Sequence, residues 1–219
     1  KYIDRAIKIE KIMEKGEVLV IYGPRRVGKT TLVEHFLSTF KGNFLNKTGD
    51  DLTTSLILSS GELIRINNLI SGYNLFFIDE AQQIENIGKG LKLVVDHNKN
   101  MFVIATGSSS FDLSNKLGEP LLGRKRVITL YPVSVYELLQ QLPRGEVFGM
   151  RDELLLYGGY PRIVAEKNPI RKIELLQEII NSAFLKDIFE LEKVKSPQKF
   201  LDLVKMLAYQ IGQPVSCGS

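Results

Sequence analysis

Cysteine is nearly absent from this 219-residue chain: Cys217 stands alone, which excludes an intramolecular disulfide framework and any metal site built from several thiolates. Long apolar runs are also missing. Stretches such as Leu75-Phe76-Phe77-Ile78 fall far short of the ~20 residues that a membrane-spanning helix needs. Charged residues interrupt Lys1 to Lys15 throughout, so no apolar core of a secretory signal opens the chain, and the cytoplasm is the expected compartment. The charge imbalance is small: 29 Lys plus Arg against 25 Asp plus Glu leave a net +4, too little to identify an acidic partner. His35 and His97 have no metal-ligating neighbour in sequence and read as solvated or capping residues. No alternation of aromatic and basic residues suggests a platform for single-stranded nucleic acid.

What is present is a balance of 44% apolar and 25% charged residues, that of a globular chain with room for one α/β domain and a smaller appendage. Apolar positions within residues 2–15 predict one helix ending at Gly16. Buried strands are predicted at Glu17 to Tyr22, Tyr73 to Ile78 and Met101 to Thr106, with shorter ones at Asn43 to Asn46 and Arg126 to Leu130. Helices alternate with them at Thr31 to Phe40, after an N-cap at Asp50, at Gly61 to Ile70 and at Ile87 to His97. This alternation indicates a parallel sheet covered on both faces. From Val133 the pattern turns helical: Val133 to Gln141, Met150 to Tyr157, Arg162 to Lys167, Ile170 to Phe189 and Pro197 to Ile211. The expected division is a core over residues 1–142, a helical lid over 143–195 and, over 196–219, the start of a further domain.

Gly23-Pro24-Arg25-Arg26-Val27-Gly28-Lys29-Thr30 fits G-x-x-x-x-G-K-[ST] at every specified position, the Walker A pattern of phosphate-binding loops. Its glycines let backbone N–H groups curl around phosphate oxygens. Lys29 supplies a point charge to the β- and γ-phosphates, the Thr30 hydroxyl a ligand for Mg²⁺, and the helix opening at Thr31 its positive end. A strand precedes the loop and a helix follows it, the context that a chance glycine-rich turn lacks.

Leu75-Phe76-Phe77-Ile78-Asp79-Glu80 is an apolar strand ending in two carboxylates, a Walker B pattern. Asp79 is the candidate second metal ligand, and Glu80 the candidate base that polarises a water for in-line attack on the γ-phosphate. A kinase would not specifically need Glu80. The guanine-reading Asn-Lys-x-Asp of a GTPase is absent, because Asn46-Lys47-Thr48-Gly49 lacks the aspartate. ATP hydrolysis is the better reading. The strand MFVIAT ends at Thr106-Gly107-Ser108-Ser109-Ser110, where Thr106 and Ser108 are both candidates to contact the γ-phosphate or orient the water. Hydroxyls capping a following helix explain Ser109 and Ser110 as well.

The segments GPRRVGKTTL, FFIDEAQ, ATGSSS, LLGRKRVITLYPVSVYELL and YGGYPRIV run in order from Gly23 to Val164. Together they resemble the AAA-superfamily P-loop ATPases, in particular prokaryotic ones with a C-terminal region of unknown function, often followed by a winged helix. The resemblance implies an α/β fold with an extra strand between the phosphate-loop strand and the Asp79–Glu80 strand, and a helical lid. It implies that Arg124 is a phosphate sensor or arginine finger, acting within a subunit or between subunits of a homo-oligomer; a surface arginine in the run Arg124-Lys125-Arg126 is the alternative. It suggests that Pro161, in Gly159-Tyr160-Pro161, packs on the adenine ring, against the alternative of a plain helix–helix turn. Tyr2, Ile3 and Arg5 would close the other side of the base. Arg25 touches phosphate or a neighbouring subunit, or is simply solvated.

These readings converge on a Mg²⁺-dependent ATPase that binds ATP and ADP and switches or remodels a partner. A nucleotide-dependent binding module with little turnover and, more distantly, a small-molecule kinase are the alternatives. Lys1 in place of a methionine and the stop after Cys217-Gly218-Ser219 lead to the expectation of a motor cut from a longer protein, one that binds DNA through a further domain.

Overall fold

Strands that read as continuous apolar runs, without the alternation of a half-exposed strand, belong in the middle of a parallel sheet. That is where three such runs lie. The computed structural model describes residues 2–108, 120–181 and 196–213. Its strands β1 (Val18–Tyr22), β2 (Phe44–Thr48), β3 (Leu75–Asp79), β4 (Phe102–Gly107) and β5 (Lys125–Thr129) form one sheet in the order β2-β3-β4-β1-β5, with every pairing parallel. The expected extra strand is β4, lying between β1 and β3. The edge strands β2 and β5 are half-exposed and carry Lys47, Lys125 and Arg126, charges that discourage edge-to-edge pairing.

Side chains alternate across the sheet. Val18, Val20, Phe76 and Ile78 pack with α2 (Leu52–Ser60), α3 (Leu63–Ile70) and α4 (Ile87–His97) in one apolar cluster, through Leu58, Ile66, Leu91 and Val94. Leu19, Ile21, Leu75, Phe77 and Ile104 face the other way onto α1 (Lys29–Leu37), through Leu32, Val33 and Phe36. At about 1.5–3 kcal/mol for each fully buried large apolar side chain, these two clusters are the main source of cohesion.

After β5 come α5 (Val135–Leu139), α6 (Arg144–Gly149), α7 (Arg151–Tyr157), α8 (Pro161–Ala165) and α9 (Pro169–Ile179), and then α10 (Pro197–Tyr209). Two small clusters hold this region. One joins Val133, Leu138 and Val147, with Ile3 against them. The other joins Ile163, Leu175 and Ile179, with Tyr157 and Tyr160. Gly159 is where the region folds back on the chain entering it. Its carbonyl accepts from the Val133 N–H at 2.7 Å, and a β-carbon there would stand only 2.4 Å from the Val133 carbonyl oxygen.

Several expectations are corrected. Residues 2–15 do not form a helix: only the 3-10 turn Ile9–Lys11 is regular, and the rest is an irregular strap. Its apolar residues serve two cores rather than one face, with Ile3 in the helical region and Ile7, Ile9, Ile12 and Met13 under the sheet. The N-cap of α2 is Asp51, which accepts from the Thr53 N–H at 3.0 Å, and not Asp50. Helix α6 lies between the helices expected at Val133 to Gln141 and Met150 to Tyr157, where no helix was predicted. Ser109, Ser110 and the expected helix beyond residue 181 lie outside the described residues. Among the described residues no helix is long and apolar enough to cross a membrane.

Candidate nucleotide-binding site

In a parallel sheet the loops that leave the carboxyl ends of the strands share one edge, where ligands bind. The predicted phosphate loop leaves β1 at Gly23 and enters α1 at Lys29. Gly28 caps that helix with φ +98°, a backbone conformation that favours glycine. Arg26 also sits in the left-handed region, at φ +63°. The Lys29 ammonium is buried and turns back into the loop, donating to the carbonyls of Gly23 at 2.9 Å and Pro24 at 3.1 Å. Val27 anchors the loop in the core beneath α1, Arg25 is half-buried within it, and Thr31 is exposed on the first turn of α1.

The tips of β3 and β4 converge on this loop. The Thr30 hydroxyl donates to Asp79 Oδ2 at 2.7 Å, and the Thr106 hydroxyl donates to Asp79 Oδ1. Asp79 Oδ1 also accepts from the Glu80 N–H at 3.1 Å. Glu80 adopts φ +48°, uncommon for a residue with a β-carbon and the kind of local strain that gathers at functional sites. The Gln82 amide donates to the Glu80 carboxylate and, at 3.1 Å, to the Ser108 hydroxyl. The two candidate hydroxyls are thus divided: Thr106 serves Asp79, and Ser108 connects to Glu80 through Gln82. The cluster around Asp79 is a set of hard oxygen donors, the chemistry that suits Mg²⁺.

Beside the loop opens a cavity of about 350 Å³ whose lining includes Tyr2, Ile3, Arg5, Gly28, Thr31 and Pro161. Pro161 Cγ would lie 3.7 Å from a β-carbon on Gly28, so α8 abuts the phosphate loop. The strap and Pro161 therefore meet across one pocket. Arg5 does more than line it. Buried to 5% exposure, it donates to Glu137 Oε1 at 2.9 Å, to the Val27 carbonyl at 3.1 Å and to the Tyr131 carbonyl. Glu137 also accepts from the N–H groups of Ala6 and Ser134, both at 2.9 Å, and forms a capping box with Ser134 on α5. Burial pushes its carboxyl up, but these N–H donors and Arg5 outweigh that and hold it below the ordinary glutamate range.

From α9, Glu178 accepts from Arg26 at 2.7 Å, and Arg171 Nη2 stands 3.8 Å from its other oxygen. The bond from Arg26, with the charges of Arg171 and Arg162, holds the Glu178 carboxyl below the ordinary range.

Arg124 is not brought to this site. The register pairs Lys125 with Val18 and Thr129 with Tyr22, so Arg124 precedes β5 at the amino-terminal edge of the sheet. The loop lies beyond the other edge, about 16 Å away along five residues of strand. There Arg124 donates to Asp96 at the end of α4, at 2.6 Å, and lowers the pKa of that carboxyl.

Glu137, Gln82 and Glu178 were not singled out in sequence. Ser134-Val135-Tyr136-Glu137 carried a readable signal, the S-x-x-E of a capping box. Glu178 carried none, because its partner lies 152 residues away.

The sheet order, phosphate loop and acidic strand tip define a P-loop nucleotide-binding domain of the α/β class. A sequence model described as an AAA domain (AAA_14) matches residues 15–139, more than half of the chain, and the chain belongs to that family. A domain of unknown function, DUF8612, matches residues 150–219. An uncharacterized protein of Methanocaldococcus jannaschii, MJ1544, is 27% identical over 99% of this chain and 51% of its own length. Uncharacterized proteins of Mycobacterium bovis and Mycobacterium tuberculosis are each 28% identical over 72% of this chain and 33% of their own length. The chain thus spans about half or less of the length of these relatives. A solved structure described as the structural basis for katanin self-assembly aligns with 57% of this chain and 43% of its own, at 20% identity and a TM-score of 0.39.

Proposed function

We propose that this chain binds ATP with Mg²⁺ and hydrolyses it, as a nucleotide-driven switch or motor. The observation that carries the reading is the convergence of Thr30, Thr106 and Glu80 on Asp79 beside a buried lysine inside a phosphate loop. Lys29 exchanges its two loop carbonyls for phosphate oxygens when nucleotide enters. Thr30 and Asp79 would hold Mg²⁺, which when bound neutralises charge on the β- and γ-phosphates. Glu80 accepts the proton of a water as that water's oxygen attacks phosphorus. The bond from phosphorus to the β–γ bridging oxygen breaks, ADP leaves with that oxygen, and the proton passes on to solvent. Tyr2, Ile3, Arg5 and Pro161 supply the walls for the base.

Steady-state phosphate release by the purified chain without an added acceptor tests this reading, and release indistinguishable from a no-enzyme control sinks it. Glu80→Gln is expected to keep ATP binding and lose about 10²–10⁴-fold in turnover. A second reading, a binding module in which nucleotide sets a conformation and turnover is incidental, is favoured by the Gln82 bond that occupies one Glu80 oxygen. It predicts tight ATP binding with Glu80→Gln indistinguishable from wild type.

A further inference from the structure

The phosphate loop carries two arginines besides Lys29, and one of them, Arg26, sends its side chain out of the loop. Arg26 holds the left-handed conformation that glycine adopts freely, and its guanidinium leaves the loop to meet Glu178 on α9 at 2.7 Å. Arg171, Leu175 and Glu178 fall at positions i, i+4 and i+7, one face of a helix. Arg171 and Leu175 line the cavity beside Gly28, while Glu178 continues that face to the phosphate loop. Helix α9 therefore runs from the cavity to the loop and ends in a carboxylate on the loop's arginine. Both partners are partly exposed, at 33% and 42%, and such ion pairs are weak. A bound triphosphate concentrates several negative charges within the same loop, and one exposed carboxylate cannot hold an arginine against it.

We propose that Glu178 sets the site's affinity for polyphosphate by engaging Arg26, and that bound phosphates take Arg26 over from Glu178. The inference rests on the nucleotide-binding reading above and adds the residue that competes with the ligand. Because α9 lies in the segment matched by the domain of unknown function, the exchange links occupancy of the phosphate loop to that region. Arg171, beside Glu178 and Glu174, keeps a partner after the exchange.

The test is a binding cycle on the full chain, with ATP and adenosine each competing against a fluorescent ATP analogue. Glu178→Gln is expected to tighten ATP about two- to fivefold, the range of an exposed ion pair, and to leave adenosine, which has no phosphate, unchanged. Arg26→Met is expected to weaken ATP, and Glu178→Gln to add nothing in the Arg26→Met background. Three results overturn the proposal: unchanged or weaker ATP binding in Glu178→Gln, an equal gain for adenosine, or an equal gain without Arg26, which would reflect only the loss of a nearby negative charge. Wild-type chain that binds ATP while Glu178→Gln changes nothing overturns this inference alone. Chain that binds no ATP overturns the nucleotide reading with it.

Discussion

Arg5 and Glu137 show how much one buried charge pair can organise. The guanidinium reaches the phosphate loop through the Val27 carbonyl, the end of the sheet through the Tyr131 carbonyl, and α5 through Glu137. Removing one member of such a pair strands the other in a dry environment. Glu137→Ala is expected to destabilise the fold by about 3–5 kcal/mol in urea unfolding. The same carboxyl gives a pH dependence of known sign. Its pKa is lowered on folding, so its contribution is complete above the ordinary glutamate value of about 4.3 and declines as pH falls through and below it. Unfolding curves taken from neutral pH to about pH 3 are expected to lose part of their acid dependence in Glu137→Gln. If the variant and the wild type lose stability in parallel, the depressed carboxyl belongs to another residue.

At the scale of elements, the turn at Gly159 joins the helical region to the sheet. A methyl group there would collide with the Val133 carbonyl, so the strands of backbone that exchange the 2.7 Å bond must move apart. Gly159→Ala is expected to cost about 1–3 kcal/mol, the usual range for overpacking. Because Tyr160 and Pro161 follow directly, the same variant should also weaken nucleotide binding. Thermal unfolding and nucleotide titration of one preparation check both effects; weakened stability with unchanged affinity would separate Pro161 from the pocket. The elements also show where local reading succeeds. β1, β3 and β4 are buried on both faces, so their apolar runs needed no partner to be recognised, and α4 was legible to the residue. The N-terminal strap was not, because its backbone is held by Glu137 and Gln141, more than 130 residues away, instead of by its own turns. Helical spacing of its isoleucines was a coincidence that two separate cores exploit.

The whole molecule brings the strap, the phosphate loop and α8 around one cavity, so a nucleotide placed there would bind only the folded chain. Ligand that binds the folded state alone stabilises it by about 2.7 kcal/mol at a hundredfold excess over its Kd. ATP is therefore expected to raise the unfolding temperature, and Lys29→Ala to abolish the rise; a shift that survives Lys29→Ala would place the ligand elsewhere. The sequence by itself determined the phosphate loop, the carboxylate-tipped strand and the parallel sheet, because these rest on backbone chemistry and apolar runs that act over a few residues. Tertiary structure decided the rest. Strand register sent Arg124 to the far edge, and long-range packing joined Arg5 to Glu137 and Arg26 to Glu178. Such charge pairs are set by which surfaces meet, and no local spacing encodes them.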